Sequence, residues 1–314
     1  MPKLIAFSGG IGGSKLVQGL AALVDPRDLL VVANTGDDFE HLGLCISPDL
    51  DTVMYTLAGL ANPEVGWGRR DETWSFMETM AEIGGETWFR LGDRDVAVHV
   101  ERTRRLRSGE SLSSVTTYLC AKLGVGPRVL PMSDDPVRTR VRTDEGWLDF
   151  QDYFVRLHCE PITRELAFHG ADSAHAQPEF IAGLRDPGLQ AVVICPSNPF
   201  ISIEPILAIP GVRDALVACK APVIAVSPII AGRAIKGPTA KMMTELGMDP
   251  SAGVVADRYS DFLDGYVIDH ADMAEVVSID AKVTLAQTLM TTLEDRDALA
   301  RTVLDAAAVL RRRK

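Results

Sequence analysis

Residues 5–16 read Ile5-Ala-Phe-Ser-Gly-Gly-Ile-Gly-Gly-Ser-Lys-Leu16, and this stretch decides how the rest of the chain is understood. An apolar run, Leu4–Phe7, stops at Gly9, Gly10, Gly12 and Gly13, and an amphipathic segment from Ser14 to Val24 follows. Strand, glycine turn and helix in that order aim unpaired backbone N–H groups and a helix N-terminus at an anion. Glycine suits such a turn because it leaves room for the anion and adopts positive φ without strain. Ser14 is placed to cap the helix and Lys15 adds a positive charge at its mouth. The spacing matches neither the Walker loop nor the dinucleotide fingerprint. By itself it points to a phosphate or nucleotide, or to a tight turn that packs a helix on a strand.

Outward from this stretch, short β-branched runs recur at Leu29–Ala33, Arg128–Pro131, Ala191–Cys195, Val223–Ser227, Gly253–Ala256 and Gly265–Ile268. Several are apolar throughout, as expected of parallel strands covered on both faces. Helical periods separate them at Pro48–Leu60, Ser111–Leu123, Pro178–Leu184 and Ala240–Leu246, and the chain from Ala281 to Arg313 reads as helical. The alternation predicts an α/β fold with a doubly wound, mostly parallel, Rossmann-like sheet. Residues 1–314 are expected to form a single domain. Within it, about 62–170 reads as a largely helical insertion capping the site, with a hairpin at Thr139–Arg142 and Trp147–Val155.

The chain has 314 residues, 46% apolar and 24% charged, which suits a globular fold. A net charge of −11 argues against a nucleic-acid partner, which would select a basic face. The terminal Arg-Arg-Arg-Lys reads as a solvated helix end. No apolar run approaches the roughly 20 residues of a membrane span, and no leader-like segment is read before Leu4. The five cysteines lack metal-ligand spacing and read as reduced thiols. A cytoplasmic location and no membrane partner are expected.

Chemistry concentrates in the turns that follow the strands, where doubly wound sheets bind ligands. Asn34-Thr-Gly-Asp-Asp38 follows the second strand and Ser47-Pro-Asp-Leu-Asp-Thr52 opens a helix. Asp37, Asp38, Asp49 and Asp51 form a hard-oxygen cluster suited to Mg²⁺, although Asp49 and Asp51 would equally complement a helix dipole. Leu91-Gly-Asp-Arg-Asp95 reads as a polar turn whose Arg94 can hold a phosphate or a hydroxyl, or as a surface turn with local ion pairs. Pro131–Pro136 repeats the pattern of acids after a strand. Ser197 and Asn198 follow another strand, and the Asn198 amide can read a base or sugar edge. Arg233 and Lys236 lie in a glycine-containing loop suited to a diphosphate. His41 is a candidate ligand contact, whereas His99, His158, His169, His175 and His270 read as packing or surface residues. No motif for a covalent nucleophile is present. A Mg²⁺-plus-phosphate site then implies direct, in-line phosphoryl transfer.

Together, Ser8-Gly-Gly-Ile-Gly-Gly-Ser-Lys-Leu16, Asn34-Thr-Gly-Asp-Asp38, Ile46-Ser-Pro-Asp-Leu-Asp-Thr52, Leu91-Gly-Asp-Arg-Asp95, Leu130-Pro-Met-Ser-Asp-Asp-Pro136, Pro196-Ser-Asn-Pro199 and Val226-Ser-Pro-Ile-Ile230 resemble the 2-phospho-L-lactate transferase family, in the same order along the chain. That family transfers a phospho-acid unit from a guanosine diphosphate donor to the ribityl hydroxyl of the deazaflavin Fo, releasing GMP. The reaction requires Mg²⁺ and belongs to coenzyme F-420 biosynthesis. The resemblance implies that Asp51 and Asp37 hold Mg²⁺ or the Fo hydroxyl, and that Arg94 contacts Fo or the transferring phosphate. The glycine loop, with Gly9, Gly10, Gly12, Gly13 and Lys15, and the turn with Ser197 and Asn198 resemble the family's guanosine diphosphate cradle, and Asn34, Asp38, Asp49 and Lys236 are further candidate substrate-binding residues. A homodimer is typical of the family. Some members have Gly-Thr-Pro-Lys where this chain has Gly-Gly-Ser-Lys. A related branch with the same glycine loop regulates cell-wall metabolism by binding nucleotide sugars. The Leu130–Pro136 and Leu91–Asp95 motifs favour the transferase. Members of the family differ in the acid, which is 2-phospholactate, enolpyruvyl phosphate or 3-phosphoglycerate, and no residue here separates the three.

Overall fold

The computed structural model describes residues 1–235 and 237–310. Strand β1 (Leu4–Ser8) leads into α1 (Gly10–Leu23), then β2 (Leu29–Ala33), the short ribbon β3 (Phe39–His41) and β4 (Leu44–Ile46), and α2 (Pro48–Leu57). Helices α3 (Ser75–Glu82), α4 (Asp93–Arg107) and α5 (Leu112–Leu123) precede β5 (Arg128–Pro131). Strands β6 (Arg138–Thr143), β7 (Gly146–Asp149) and β8 (Thr163–His169) follow, then α6 (Pro178–Leu184) and β9 (Ala191–Ile194). The remainder is α7 (Glu204–Leu207), α8 (Val212–Ala218), β10 (Val223–Val226), the ribbon β11 (Ile229–Ile230) and β12 (Arg233–Ala234), α9 (Thr239–Glu245), α10 (Ala252–Asp257), β13 (Gly265–Asp269), β14 (Lys282–Ala286) and α11 (Leu293–Val309).

Seven strands form one sheet in the order β14-β13-β10-β9-β1-β2-β5, every pair parallel. Alternate residues of β1 and β2 supply two cores. Leu4, Ala6, Leu29 and Val31 pack with Leu16, Leu20, Val53, Val115 and Val303 of α1, α2, α5 and α11. Ile5, Phe7, Leu30 and Val32 belong to a second core that contains Phe180, Leu216, Met242 and Val255 of α6, α8, α9 and α10. This is the expected doubly wound arrangement. No described helix is long and apolar enough to cross a membrane.

Four expectations are corrected. Gly253–Ala256 lies in α10: the Ser251 hydroxyl caps it by accepting from Val254 N at 3.2 Å, and Ala252, Val255 and Ala256 turn one face inward. Valine pairs suggest a strand, but tertiary burial decides here. Lys282–Ala286 is an edge strand beside β13, and α11 begins only at the Thr292/Asp295 capping box. Ser14 is a buried interior residue of α1, not its cap, because the helix already begins at Gly10. The 62–170 stretch is not continuous, since β5 returns to the main sheet beside β2. Its two parts are the helical segment before α5 and an antiparallel sheet, β7-β6-β8, in which β8 extends the expected hairpin, although the second arm stops at Asp149 and Asp152–Arg156 coils into a π-helical turn. The basic end at 311–314 lies outside the described residues.

Gly12 sits within α1, where alanine would ordinarily stabilise by about 1 kcal/mol. A Cβ there would overlap the backbone carbonyl of Pro196 in the turn after β9. Gly12→Ala should therefore lower the melting temperature measured by calorimetry. A rise would show that the α1–β9 approach is looser than described.

Candidate active site

The strand order reverses direction between β1 and β9, the place where doubly wound sheets open a crevice. A cleft of about 670 Å³ lies there. Its walls include the turn after β1, the first turn of α2, the turns after β9 and β10, and Thr288–Met290 before α11. Gly9, Gly10, Gly12, Lys15, Asp37, Asp49, Asp51, Ser197 and Asn198 line it. Lys15 Nζ donates to the Met290 carbonyl at 2.7 Å, so it braces α1 against the opposite wall.

The glycines serve close protein approach as much as ligand approach. Ser197 Oγ accepts from Gly9 N–H at 3.0 Å and donates to Gly9 O at 2.7 Å, locking the β1 and β9 turns together. A Cβ on Gly9 would meet Asp49 and Ser202, and one on Gly13 would meet Ser8 and Ser197. Gly13 is buried behind the wall. Only Gly10 needs a positive φ, +61°. Its N–H donates to Asp49 Oδ1 at 2.5 Å. Asn198 Oδ1 accepts from Phe200 N and Ile201 N at 2.9 and 3.3 Å, which turns the chain back under the cleft.

Asn34 is buried and organises the acids from behind. Its Nδ2 donates to Asp37 Oδ1 and Asp49 Oδ2, both at 3.0 Å, and lies 3.2 Å from Ile201 O. Its Oδ1 accepts from Gly36 N at 2.8 Å. Gln151 Nε2 donates to Asp37 O at 3.0 Å, linking this turn to the antiparallel sheet. Asp38 also sits behind the wall and accepts from Ser47 Oγ at 2.8 Å, while its Oδ1 finds no partner among the described residues. Burial pushes Asp38 up to about 7 and Asp49 to about 6. Burial, reinforced by Asp49 and Asp38, holds Asp37 well above the usual carboxylate range.

Asp51 belongs to a different network. Arg102 on α4, only 1% exposed, grips it with two N–H groups, Nη1 to Oδ2 at 3.0 Å and Nη2 to Oδ1. Burial still raises Asp51, against the opposing pull of Arg102 and His99. His99 and Asp95 line the same end, and Tyr55 OH donates to Asp95 Oδ1 at 2.5 Å. The expected pairing of Asp37 with Asp51 as metal ligands is thus divided between an Asn34 network and an Arg102 network. Asp37 and Asp49 offer hard oxygens joined through one amide and make no ion pair among the described residues, a donor set that would suit a hard cation such as Mg²⁺. Asp51, Asp95 and His99 have ligand atoms within 4.8 Å of one another, but Arg102 already compensates Asp51.

Arg94 is exposed in the first turn of α4 and is absent from the wall, because Leu91–Asp95 is a helix start and not a free turn. Glu72 accepts from the Arg94 and Asp95 N–H groups at 2.8 and 3.0 Å and fixes that start. Arg90 lines the cleft in its place and lies 4.2 Å over the Trp74 ring. His41 packs among Phe39, Trp88 and Phe89, outside the wall. Arg233 is exposed on β12 and also outside it, and Lys236 lies outside the described residues. Sequence reasoning missed Asp95, His99 and Arg102, whose i, i+4, i+7 spacing puts a polar stripe on one face of α4. It also missed the aromatic wall of Trp67, Trp88, Phe89, Phe150 and Phe154. Trp67 is carried there by Gly66, which packs against Ile11 at φ +84°.

An acid whose folded pKa is raised binds its proton more tightly when folded. Its stabilising contribution is full below about 4 and is lost as pH rises through the folded value. For Asp38 that loss runs from about pH 4 to about 7. Asp38→Asn should therefore raise the melting temperature at pH 8 more than at pH 5. An equal or opposite change at the two pH values would contradict the desolvation of Asp38.

The family model described as 2-phospho-L-lactate transferase CofD matches residues 4–307. A phosphoenolpyruvate transferase of Kitasatospora aureofaciens is 43% identical over 319 residues, 98% of this chain and 99% of its own. The 2-phospho-L-lactate transferase of Methanosarcina mazei is 39% identical over 306 residues, 96% of this chain and all of its own. A crystal structure of a UPF0052-family protein from Bacillus halodurans superposes with a TM-score of 0.63 at 12% identity, covering 96% of this chain and 98% of that one, and shares the fold. With a cleft of this construction and relatives matched end to end, the chain belongs to the 2-phospho-L-lactate transferase family and is a phospho-acid transferase of that type.

Proposed function

We propose that this transferase moves a phospho-acid unit from a guanosine diphosphate donor to the ribityl hydroxyl of Fo and releases GMP, with Mg²⁺ as cofactor, in coenzyme F-420 biosynthesis. The observation that carries the reading is that a single cleft joins the Gly9–Gly12 turn and two buried carboxylate networks to an aromatic wall. A diphosphate suits the first, and a flat deazaflavin ring suits the wall. Mg²⁺ would be held by Asp37 and Asp49, where it would neutralise the diphosphate and the leaving GMP. Asp51, kept in place by Arg102, faces the cleft with lone pairs free to accept the hydroxyl proton late in the step. Asn34 and Ser197 tie the surrounding turns together, the rigidity that in-line attack would draw on. The relatives' names favour enolpyruvyl phosphate or 2-phospholactate as the acid, with 3-phosphoglycerate the remaining candidate. A homodimer in the cytoplasm completes the proposal.

Mixed with Fo, Mg²⁺ and each of the three guanosine-diphospho-linked acids, the protein should release GMP only when Fo is present. Mass spectrometry should show Fo heavier by one phospho-acid. GMP release without Fo, or none with any donor, would overturn the assignment.

The two carboxylate networks should respond differently to neutralisation. Asp37→Asn removes a charge its neighbours repel, so turnover should fall at least about a hundredfold with the melting temperature unchanged or raised. Asp51→Asn leaves the buried Arg102 charge without its carboxylate, so turnover and melting temperature should fall together. Full activity in either variant would remove that aspartate from the mechanism.

A further inference from the structure

His99 and Asp95 lie in the cleft wall, and the proposed transfer gives neither a role. The His99 ring is buried, and its Nδ1 is 3.2 Å from Arg102 Nη1. A guanidinium can only donate, so Nδ1 accepts and the ring proton sits on Nε2. That Nε2–H has no well-aligned hydrogen bond among the described residues: its nearest acceptor, Asp95 Oδ2, lies 3.4 Å away and attracts it only through a long contact. Asp95 is held from its other oxygen by Tyr55 OH. A buried donor whose one acceptor is distant and poorly aligned keeps part of the penalty of its lost hydration, and a ligand atom that accepts from it squarely removes that penalty.

We propose that His99 and Asp95 form a subsite that reads an alcohol hydroxyl of the acceptor substrate. His99 Nε2–H donates to the hydroxyl oxygen, and the hydroxyl hydrogen is donated to Asp95 Oδ2. A neighbouring donor and acceptor in one wall are the complement of a hydroxyl, which is both acceptor and donor. A phosphate oxygen in the same place would face the Asp95 carboxylate, and an ammonium would leave the His99 donor unanswered. Arg102 fixes the tautomer and grips Asp51 in the same gesture, so the subsite and the proposed proton acceptor are held as one unit. His99 Nδ1 and Asp51 Oδ2 are 3.7 Å apart. The subsite therefore holds an alcohol chain next to Asp51. Resting on the proposed function, the hydroxyl is one of those on the ribityl chain of Fo.

The test is binding of Fo and of ribityl-deoxy analogues of Fo, followed by deazaflavin fluorescence, to the wild type and to His99→Gln, His99→Asn and His99→Phe, with turnover measured in parallel. Glutamine places an amide nitrogen near the position of Nε2, whereas asparagine reaches only the position of Nδ1 and phenylalanine offers no donor. The wild type should bind Fo about tenfold more tightly than one deoxy analogue. That preference should persist in part in His99→Gln and vanish in His99→Asn and His99→Phe. If His99→Phe fails to fold, the Gln and Asn pair decides. An unchanged preference in the Asn or Phe variant overturns the subsite, even if Fo is turned over normally. A wild type that binds Fo no better than every deoxy analogue, or does not bind Fo, overturns it equally. A preference that depends on His99 in a protein that never transfers to Fo would sustain the subsite and refute the reaction.

Discussion

Desolvation of carboxylates is the constraint on which this structure depends. Asp37, Asp38, Asp49 and Asp51 are each no more than 7% exposed, and burial is the largest influence on all four. Charges removed from water must be paired or hydrogen-bonded, or else they take up protons. The fold answers in two ways. Asn34 spreads one amide over Asp37 and Asp49, a neutral compensation that leaves both raised, as the proposed cation site requires. Arg102 gives Asp51 a full opposite charge. A buried ion pair is a poor device for stability, since desolvation consumes much of the attraction, so its value here lies in orientation.

The position of these acids follows from the sheet. Parallel strands place all their carboxyl ends on one edge, and the reversal at β1 and β9 opens that edge. The Ser197 hydroxyl, bonded to both backbone groups of Gly9, sets the width of the opening. The main sheet alone would give a polar crevice. The segments on either side of β5 convert it into a cleft with an apolar side, because they supply Trp67, Trp88 and Phe89 from one and Phe150 and Phe154 from the other.

The features carried by local pattern were legible in the sequence. Continuous apolar runs at β1, β2, β9 and β10 announced a covered parallel sheet, and of the acids after β2 and at the start of α2, Asp37, Asp49 and Asp51 line the cleft whereas Asp38 sits behind its wall. What depended on tertiary contacts was not legible. Gly253–Ala256 became helical through a serine cap and a buried face, and Lys282–Ala286 became a strand because β13 offers it an open edge. Arg94 was a reasonable candidate as the lone cation of its motif, yet the helix that begins at Asp93 turns it outward. The cation that matters, Arg102, stands seven residues beyond Asp95 and is recognisable only once α4 is known to lie against Asp51. The glycine loop was read for its anion-binding conformation, whereas three of its four glycines are required by contacts with Asp49, Pro196, Ser8 and Ser197.

The central claim, that the acids of this cleft are held out of water and await a cation, is open to direct measurement. Protein labelled with ¹³C at aspartate carboxyls can be titrated by NMR, with Asp→Asn variants assigning the signals. The account predicts that Asp49 titrates near 6 and Asp38 near 7 in the free protein, and that added Mg²⁺ displaces the Asp49 midpoint downward. If both titrate with exposed aspartates near 4, with or without Mg²⁺, the account is wrong.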